Sequence, residues 1–317
     1  MSVVVVGSFN IDHVWQSDTL PAPGATLTGR YHTGPGGKGF NQAIAARRAG
    51  AQATFICALG NDAGAHIARN LAETDGLQLL AHCCDNIPTG TAGIFVGADG
   101  RNSIVIGPGA NAELRPAHLD GADSHLRHAQ VLLTQLEIPS ASVQHALTLA
   151  RADGARTVLN PAPANAETSA ALLALADVIT PNETEFSALL HRHTTLAMPA
   201  DRVATASDEA LHLACRALHP GGTVVITLGA AGCFVSHGEN LHGDSASHYR
   251  LPAQPARVVD TTGAGDAFNG ALCAAWAQQP ARALAEHLTF ASRYAARACE
   301  NFGAALAMPR MSAVEAA

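Results

Sequence analysis

The chain has 317 residues, 48% of them hydrophobic and only 14% charged, with a formal net charge of −7 at pH 7. That is enough apolar material for a large core, in one big domain or two modest ones. The acidic balance leaves no basic footprint for nucleic acid or an anionic membrane, so any phosphate handled here has to be met by local groups.

The first residues, Met1-Ser2-Val3-Val4-Val5-Val6-Gly7, lack a positively charged leader and run straight into a strand, which argues against a secretory signal. No apolar stretch approaches the roughly 20 residues of a membrane span. The seven cysteines (57, 83, 84, 215, 233, 273 and 299) are odd in number, sit mostly in apolar runs and include no Cys-x-x-Cys pair. They read as buried thiols of a cytoplasmic protein. His191 and His193 have the spacing of ligands on one strand face, but with no carboxylate or cysteine beside them they read as part of a polar loop.

Val3 to Val6 is an unbroken apolar run, the pattern of a strand covered on both faces. In Gly7-Ser8-Phe9-Asn10-Ile11-Asp12 an extended backbone places Asn10 and Asp12 on the same side, toward the strand's C-terminal end, where open α/β sheets bind ligands. An amide and a carboxylate suit adjacent hydroxyls, although an Asx turn in a polar loop would use the same residues. Residues 13–35, rich in Pro and Gly around short alternating stretches, predict a small β insertion. A second is predicted at residues 92–106, a hairpin turning at Asp99-Gly100, which Gly107-Pro108-Gly109-Ala110-Asn111 closes.

Between them, Gly34-Pro35-Gly36-Gly37-Lys38-Gly39-Phe40-Asn41-Gln42-Ala43 opens a helix that stops near Gly50. It contains a formal Gly-x-Gly-x-x-Gly, but that pattern does not directly follow the first strand, and no acidic ribose partner is placed as a dinucleotide site requires. Nor is it a Walker A loop, since Gly39 stands where Ser or Thr would follow the lysine. A helix is predicted over residues 66–79 and a strand entry at Thr89-Gly90-Thr91-Ala92-Gly93-Ile94. Val131 to Leu136 is a strand with Glu137 at its C-terminal end, either on the ligand side or capping a helix. Thr157-Val158-Leu159-Asn160-Pro161 repeats that strand-then-turn logic.

In Val178-Ile179-Thr180-Pro181-Asn182-Glu183-Thr184-Glu185 a strand leads to Asn182 and Glu185, three apart on one face of a first helical turn. The pair could hold Mg²⁺, largely through water, or form a capping box. Residues 222–228 make a buried strand, and Gly229-Ala230-Ala231-Gly232 a tight turn.

Val258-Val259 then reads as a strand, Asp260 to Gly265 as a glycine-rich turn, and the Ala-rich run through Ala277 as a helix. Gly263, Ala264 and Gly265 let consecutive N–H groups converge at the helix start, which makes an anion site. A carboxylate there, Asp266, would repel a phosphate unless it had a proton to collect from an attacking hydroxyl, as in phosphoryl transfer. The helix dipole favours its ionised form. A capped glycine turn is the plainer reading of the same residues. A final Ala-rich helix is predicted over residues 281–299, with Gly303 turning the chain back. Strands alternating with helices predict a three-layer α/β/α domain with a mostly parallel sheet and a small β lid.

Asp260-Thr261-Thr262-Gly263-Ala264-Gly265-Asp266-Ala267-Phe268-Asn269-Gly270 resembles the signature of the ribokinase-like family of sugar and nucleoside kinases, also called the phosphofructokinase B type. Gly7 to Asp12, Gly37 to Gln42, Asn182 to Glu185 and Thr227 to Gly232 match further family motifs in order, across nearly the whole chain. The resemblance implies one kinase domain over residues 1–317, with lid insertions at about 13–35 and 92–106 that can pair in a homodimer. It implies an ATP-dependent kinase using Mg²⁺ and a potassium activator, acting on the 5-hydroxyl of D-ribose. A nucleoside or another sugar is the alternative acceptor.

By that likeness Asp266 is the base and the amides of Gly263, Ala264 and Gly265 stabilise the transition state. Asn10, Asp12, Gly37, Lys38, Asn41 and Glu137 hold the sugar, its approach to the backbone eased by the glycines. Asn182, Thr227, Gly229, Gly232, Gly265 and Ser292 border the nucleotide, and Asn182 and Glu185 hold Mg²⁺. Potassium falls to Asp260, Thr262, Ala298, Asn301, Gly303 and Ala307. Three positions depart from the family pattern: Ala307 replaces a usual serine, Glu300-Asn301 a usual Thr-Arg, and Phe40 a usual small residue. A ring at position 40 beside the sugar would narrow the pocket or serve a different acceptor. A catalytically idle sugar sensor is the rival of another class, against which the intact Asp266 turn speaks.

Overall fold

The computed structural model describes residues 2–315. Its strands are β1 (Ser2–Val6), β2 (Asn10–Ser17), β3 (Arg30–Gly36), β4 (Gln52–Gly60), β5 (Gln78–Cys84), β6 (Gly90–Gly97), β7 (Asn102–Gly107), β8 (Val131–Thr134), β9 (Arg156–Leu159), β10 (Val178–Ile179), β11 (Thr223–Thr227), β12 (Cys233–Ser236) and β13 (His248–Leu251). Nine of them form one sheet in the order β13-β12-β11-β10-β9-β8-β1-β4-β5. Every neighbouring pair is parallel except β11 with β12 and β12 with β13.

Successive residues of β1 show why the apolar runs do not alternate. Val3 and Val5 enter one core, shared with the helices Lys38–Arg48, Ala63–Asp75, Ala264–Gln278 and Leu284–Ala298. Val4 and Val6 enter a second core on the other face, against the helices Ser140–Ala152, Glu183–His193 and Asp208–Leu218. A strand buried on both sides needs apolar residues at every position. The result is the expected three-layer α/β/α arrangement, and no helix among the described residues is long and apolar enough to cross a membrane.

Strand order reverses beside β1, with β4 and β5 on one side and β8 to β11 on the other. At such a switch point the crevice beyond the carboxyl ends of the strands is open to a ligand. The segments that leave β1 and β8 there carry Ser8 to Asp12 and Gln135 to Glu137.

The remaining strands form a four-stranded sheet in the order β3-β2-β6-β7. β2 runs parallel to β6, from Asn10 opposite Gly90 to Ser17 opposite Gly97, and the outer pairs are antiparallel. This sheet begins earlier than the insertions read from sequence, so Asn10 and Asp12 belong to its first strand. They share one face of β2, and Trp15 on the other face stacks on Phe95 at 5.3 Å between ring centres.

Four local expectations fail. The helix Ala63–Asp75 ends at Gly76, whose φ of 64° is left-handed, and residues 78–84 go on as β5 instead of continuing the helix to 79. Val258 and Val259 are not a strand: they lie exposed in an irregular segment, with the Val259 N–H donating to the Cys299 carbonyl. His191 and His193 sit in the last turn of the helix Glu183–His193, neither on a strand nor in a loop, and His193 bonds Thr168. All seven cysteines are free, but Cys83 is exposed.

Candidate active site

The turn that precedes the helix Ala264–Gln278 is built on Gly263, which takes φ 75° as its N-cap. The Ala264 N–H is already committed to the Thr261 carbonyl at 3.1 Å. Of the expected three amides, those of Gly263 and Gly265 therefore remain for an anion. Asp266 lies one step further, on the first turn, and is 7% exposed.

Both of its oxygens are held from the helix Lys38–Arg48. Asn41 Nδ2 donates to Oδ2 and Gln42 Nε2 to Oδ1, each at 2.9 Å. The two helices approach this closely because residue 270 is glycine: a β-carbon there would stand 2.4 Å from the Gln42 carbonyl oxygen. Burial pushes the pKa of Asp266 above the usual carboxylate value, while Lys38, Asn41 and Gln42 pull it down. The helix dipole is thus not what decides its charge, as the sequence suggested. For Lys38, burial opposes the charge, but Asp266, Glu137 and Glu185 outweigh it and leave its pKa raised. A lysine so placed is a stable cation among three carboxylates.

On the far side of Lys38 stand the residues of the switch point. Glu137 Oε2 accepts from Ser8 Oγ at 2.6 Å and from the Lys38 N–H at 3.1 Å, which makes it a clamp between the two chain segments and the start of the helix. Asp12 projects over Gly36, where a β-carbon would fall 2.1 Å from Oδ2. Burial and the nearby charges of Glu137 and Asp266 raise its pKa to about 7. Asn10 is 3% exposed and its Oδ1 accepts from Asn111 Nδ2 at 2.8 Å. Asn111 also grips both backbone groups of Phe9, and so fixes the segment from a short 3₁₀ turn, Gly109–Glu113. In the sequence Asn111 only closes a hairpin, since nothing local marks a contact spanning about a hundred residues.

Gly37 has φ 87°, and a β-carbon on it would meet the Asn10 nitrogen at 2.7 Å. Its smallness lets the start of the helix approach the segment after β1. Phe40 is fully buried, edge-on to Phe9 at 4.9 Å and to Phe55 at 5.6 Å. It fills the core behind the helix and does not narrow the cleft, which removes the argument for a different acceptor.

On the other side of Asp266, Asn182 and Glu185 form a capping box: Asn182 Oδ1 accepts from the Glu185 N–H and Glu185 Oε2 from the Asn182 N–H, both at 2.9 Å. Glu185 keeps its second oxygen free of any bond to the described residues, and burial raises its pKa. Thr227 ends β11, with its N–H on the Pro181 carbonyl at 2.9 Å. Gly229 (φ 52°) has open space where a β-carbon would stand. Gly232 does not: a β-carbon there would meet the Leu251 carbonyl at 2.0 Å, so it packs on the end of β13. Ser292 is half-buried in the helix Leu284–Ala298.

Asp260 joins two loops. Oδ1 accepts from the Thr262 N–H (2.9 Å) and Oγ1 (2.7 Å), and Oδ2 from the Gly303 N–H (3.0 Å). Burial works against this carboxylate, but those bonds win and hold its pKa below the usual value. Ala298 and Ala307 have only backbone oxygens to offer, the Ala298 carbonyl accepts from the Asn301 N–H at 3.2 Å, and Asn301 is exposed.

A buried carboxylate beside free helix-start amides, a lysine and a cluster of polar residues at the switch point defines a class of protein, one that moves a phosphoryl group onto a small polyhydroxyl acceptor. The family model for pfkB family carbohydrate kinases matches residues 1–311. The chain is 37% identical to mouse (Mus musculus) ribokinase over 310 residues, covering 97% of this chain and 92% of that protein. It is 35% identical to the ribokinase of Haemophilus influenzae over 312 residues, 97% of this chain and 95% of the relative. Among solved structures, Arabidopsis thaliana ribokinase complexed with ribose and ATP superposes with a TM-score of 0.84 at 29% identity, covering 99% of this chain and 97% of that one. The chain belongs to the pfkB family of carbohydrate kinases.

Proposed function

We propose that this protein is a single-domain kinase that transfers the γ-phosphate of ATP to the 5-hydroxyl of D-ribose, giving D-ribose 5-phosphate. The observation that carries the reading is the placement of Asp266, gripped by two amides and flanked by Lys38, between the Asn10–Asp12–Glu137 crevice and the Asn182–Thr227 side. Similarity to ribokinases over nearly the full chain supports ribose as the acceptor.

Asn10, Asp12, Lys38, Asn41 and Glu137 bind the sugar. Asn41 Oδ1, buried and without a hydrogen-bond partner among the described residues, is ready to accept from a sugar hydroxyl. Asp266 takes the proton of the attacking hydroxyl as its oxygen bonds to the γ-phosphorus and the bond to ADP breaks. The Gly263 and Gly265 amides and Lys38 meet the charge on the phosphoryl oxygens. Thr227, Gly229 and Ser292 border the nucleotide.

The free oxygen of Glu185, beside Asn182, fits Mg²⁺ held largely through water. When bound, the metal neutralises phosphate charge. By the family resemblance, Asp260, held ionised where it joins the 262 and 303 loops, and the carbonyls of Thr262, Ala298, Asn301, Gly303 and Ala307 would hold a monovalent cation such as K⁺. An unchanged rate when K⁺ is replaced by tetramethylammonium would reject that cation site. The small sheet acts as a lid over the sugar, and its exposed Trp15, Tyr31, Ile104, Val105 and Ile106 support a lid-to-lid homodimer. A monomer mass in sedimentation would sink that assembly. Seven free cysteines suit the reducing cytoplasm.

A coupled assay of ADP release over ribose, deoxyribose, fructose, adenosine, inosine and pseudouridine tests the acceptor. The highest kcat/KM is expected with ribose; a nucleoside preferred over ribose would overturn the assignment.

A further inference from the structure

Gln42 is fully buried, and both ends of its amide are engaged. Nε2 donates to Asp266 Oδ1 at 2.9 Å and to Asn160 Oδ1 at 3.0 Å, while Oε1 accepts from Gln135 Nε2 at 2.6 Å. The orientation of this amide is not free. Asn160 Nδ2 donates to the Thr180 carbonyl at 3.0 Å, and a carbonyl can only accept. Asn160 must therefore turn its oxygen toward Gln42, and Gln42 must answer with N–H. Asp266 is shown a donor by this neighbour in every protonation state of the site.

We infer that Gln42 is the positioning residue of the base: the Thr180–Asn160–Gln42 relay keeps an N–H donor on Oδ1 of Asp266 throughout the reaction, which fixes the carboxylate and favours its ionised, proton-accepting form. The inference rests on the reading of Asp266 as the base. In the step itself the sugar O–H bond breaks and an O–H bond forms on the Asp266 carboxylate, while the sugar oxygen takes the phosphoryl group from ATP and ADP leaves.

Burial favours the protonated, idle form of Asp266, and Glu137, Asp12 and Glu185 add negative charge nearby. Lys38, Asn41 and Gln42 oppose them. Loss of the Gln42 donor shifts this balance toward protonation.

The test is the pH profile of kcat with saturating ATP and D-ribose for the parent protein and Gln42→Met, which keeps the side-chain length and carries no donor. At neutral pH kcat is expected to fall about 10- to 100-fold, with the acidic limb moved up by about one pH unit or more and the ribose KM within about threefold. The deficit then shrinks as pH rises. A loss of equal size at every pH marks a merely structural residue and overturns the inference, as does an unchanged profile. Asn160→Ala removes the lock while leaving Gln42 in place, and serves if Gln42→Met does not fold: a smaller shift in the same direction is expected, and no shift counts against the relay. Asp266→Asn separates the two levels. Near-parental turnover in it removes the base and the relay together, whereas an inactive Asp266→Asn beside an unshifted Gln42→Met removes the relay alone.

Discussion

A β-carbon on residue 36 would stand 2.1 Å from Asp12 Oδ2 and 2.4 Å from its carboxyl carbon, so that single hydrogen decides where the carboxylate lies. Gly36→Ala is expected to raise the ribose KM about tenfold or more, the worth of a hydrogen bond to a charged group, and to leave the ATP KM unchanged. Equal changes in both constants would mean that the residue serves the fold and not the sugar. Asp12 itself predicts a pH effect whose sign follows from its surroundings. The unfolded chain releases its proton near 3.8 and the folded one near 7, so between those values the folded state holds the extra proton and loses stability as pH rises. Asp12→Asn removes that loss. Its melting temperature relative to the parent should climb from pH 4 to pH 7, and a constant difference would contradict the assigned surroundings. Phe40 teaches the reverse lesson at the same scale: within a motif near the sugar it points away, onto Phe9 and Phe55, and the motif alone did not say which side of the helix it takes.

At the scale of elements, Asn182 and Glu185 combine the two readings that sequence left open. Their reciprocal bonds are those of a capping box, and one Glu185 oxygen remains for other work. Asn182→Ala should cost about 1 kcal/mol of stability, as lost N-caps do, and also raise the Mg²⁺ concentration for half-maximal rate; Asn182→Ser should keep the stability. If the Mg²⁺ requirement of Asn182→Ala stays at the parental value, the cap is the whole of its role. What was legible along the chain shares a trait: apolar runs, glycine turns and polar residues just past strand ends are local signals, and they located most of the sheet strands and the helix start at Asp266. What was not legible depends on partners distant in sequence. Val258-Val259 has the composition of a strand but only the Cys299 carbonyl to bond. The amides of Gln42, Asn111, Gln135 and Asn160 join segments 93 to 118 residues apart, and no spacing rule announces them.

Over the whole molecule, the reversal of strand order beside β1 does the organising. To the carboxyl end of the sheet there the chain delivers Asn10 and Asp12 from β2, Glu137 from beyond β8, Lys38 and Asn41 from one helix and Asp266 from another. The small sheet that starts at Asn10 is continuous with that cluster, so movement of the sheet would also move the sugar-side carboxylate Asp12. In the proposed function Asp266 joins the sugar side to the phosphate side and takes the proton. The most direct measurement is the turnover of Asp266→Asn with saturating ribose and ATP, alongside its affinity for ATP. A kcat lower by about 10² to 10⁴ with ATP binding unchanged is expected; turnover close to the parent's would contradict Asp266 as the base.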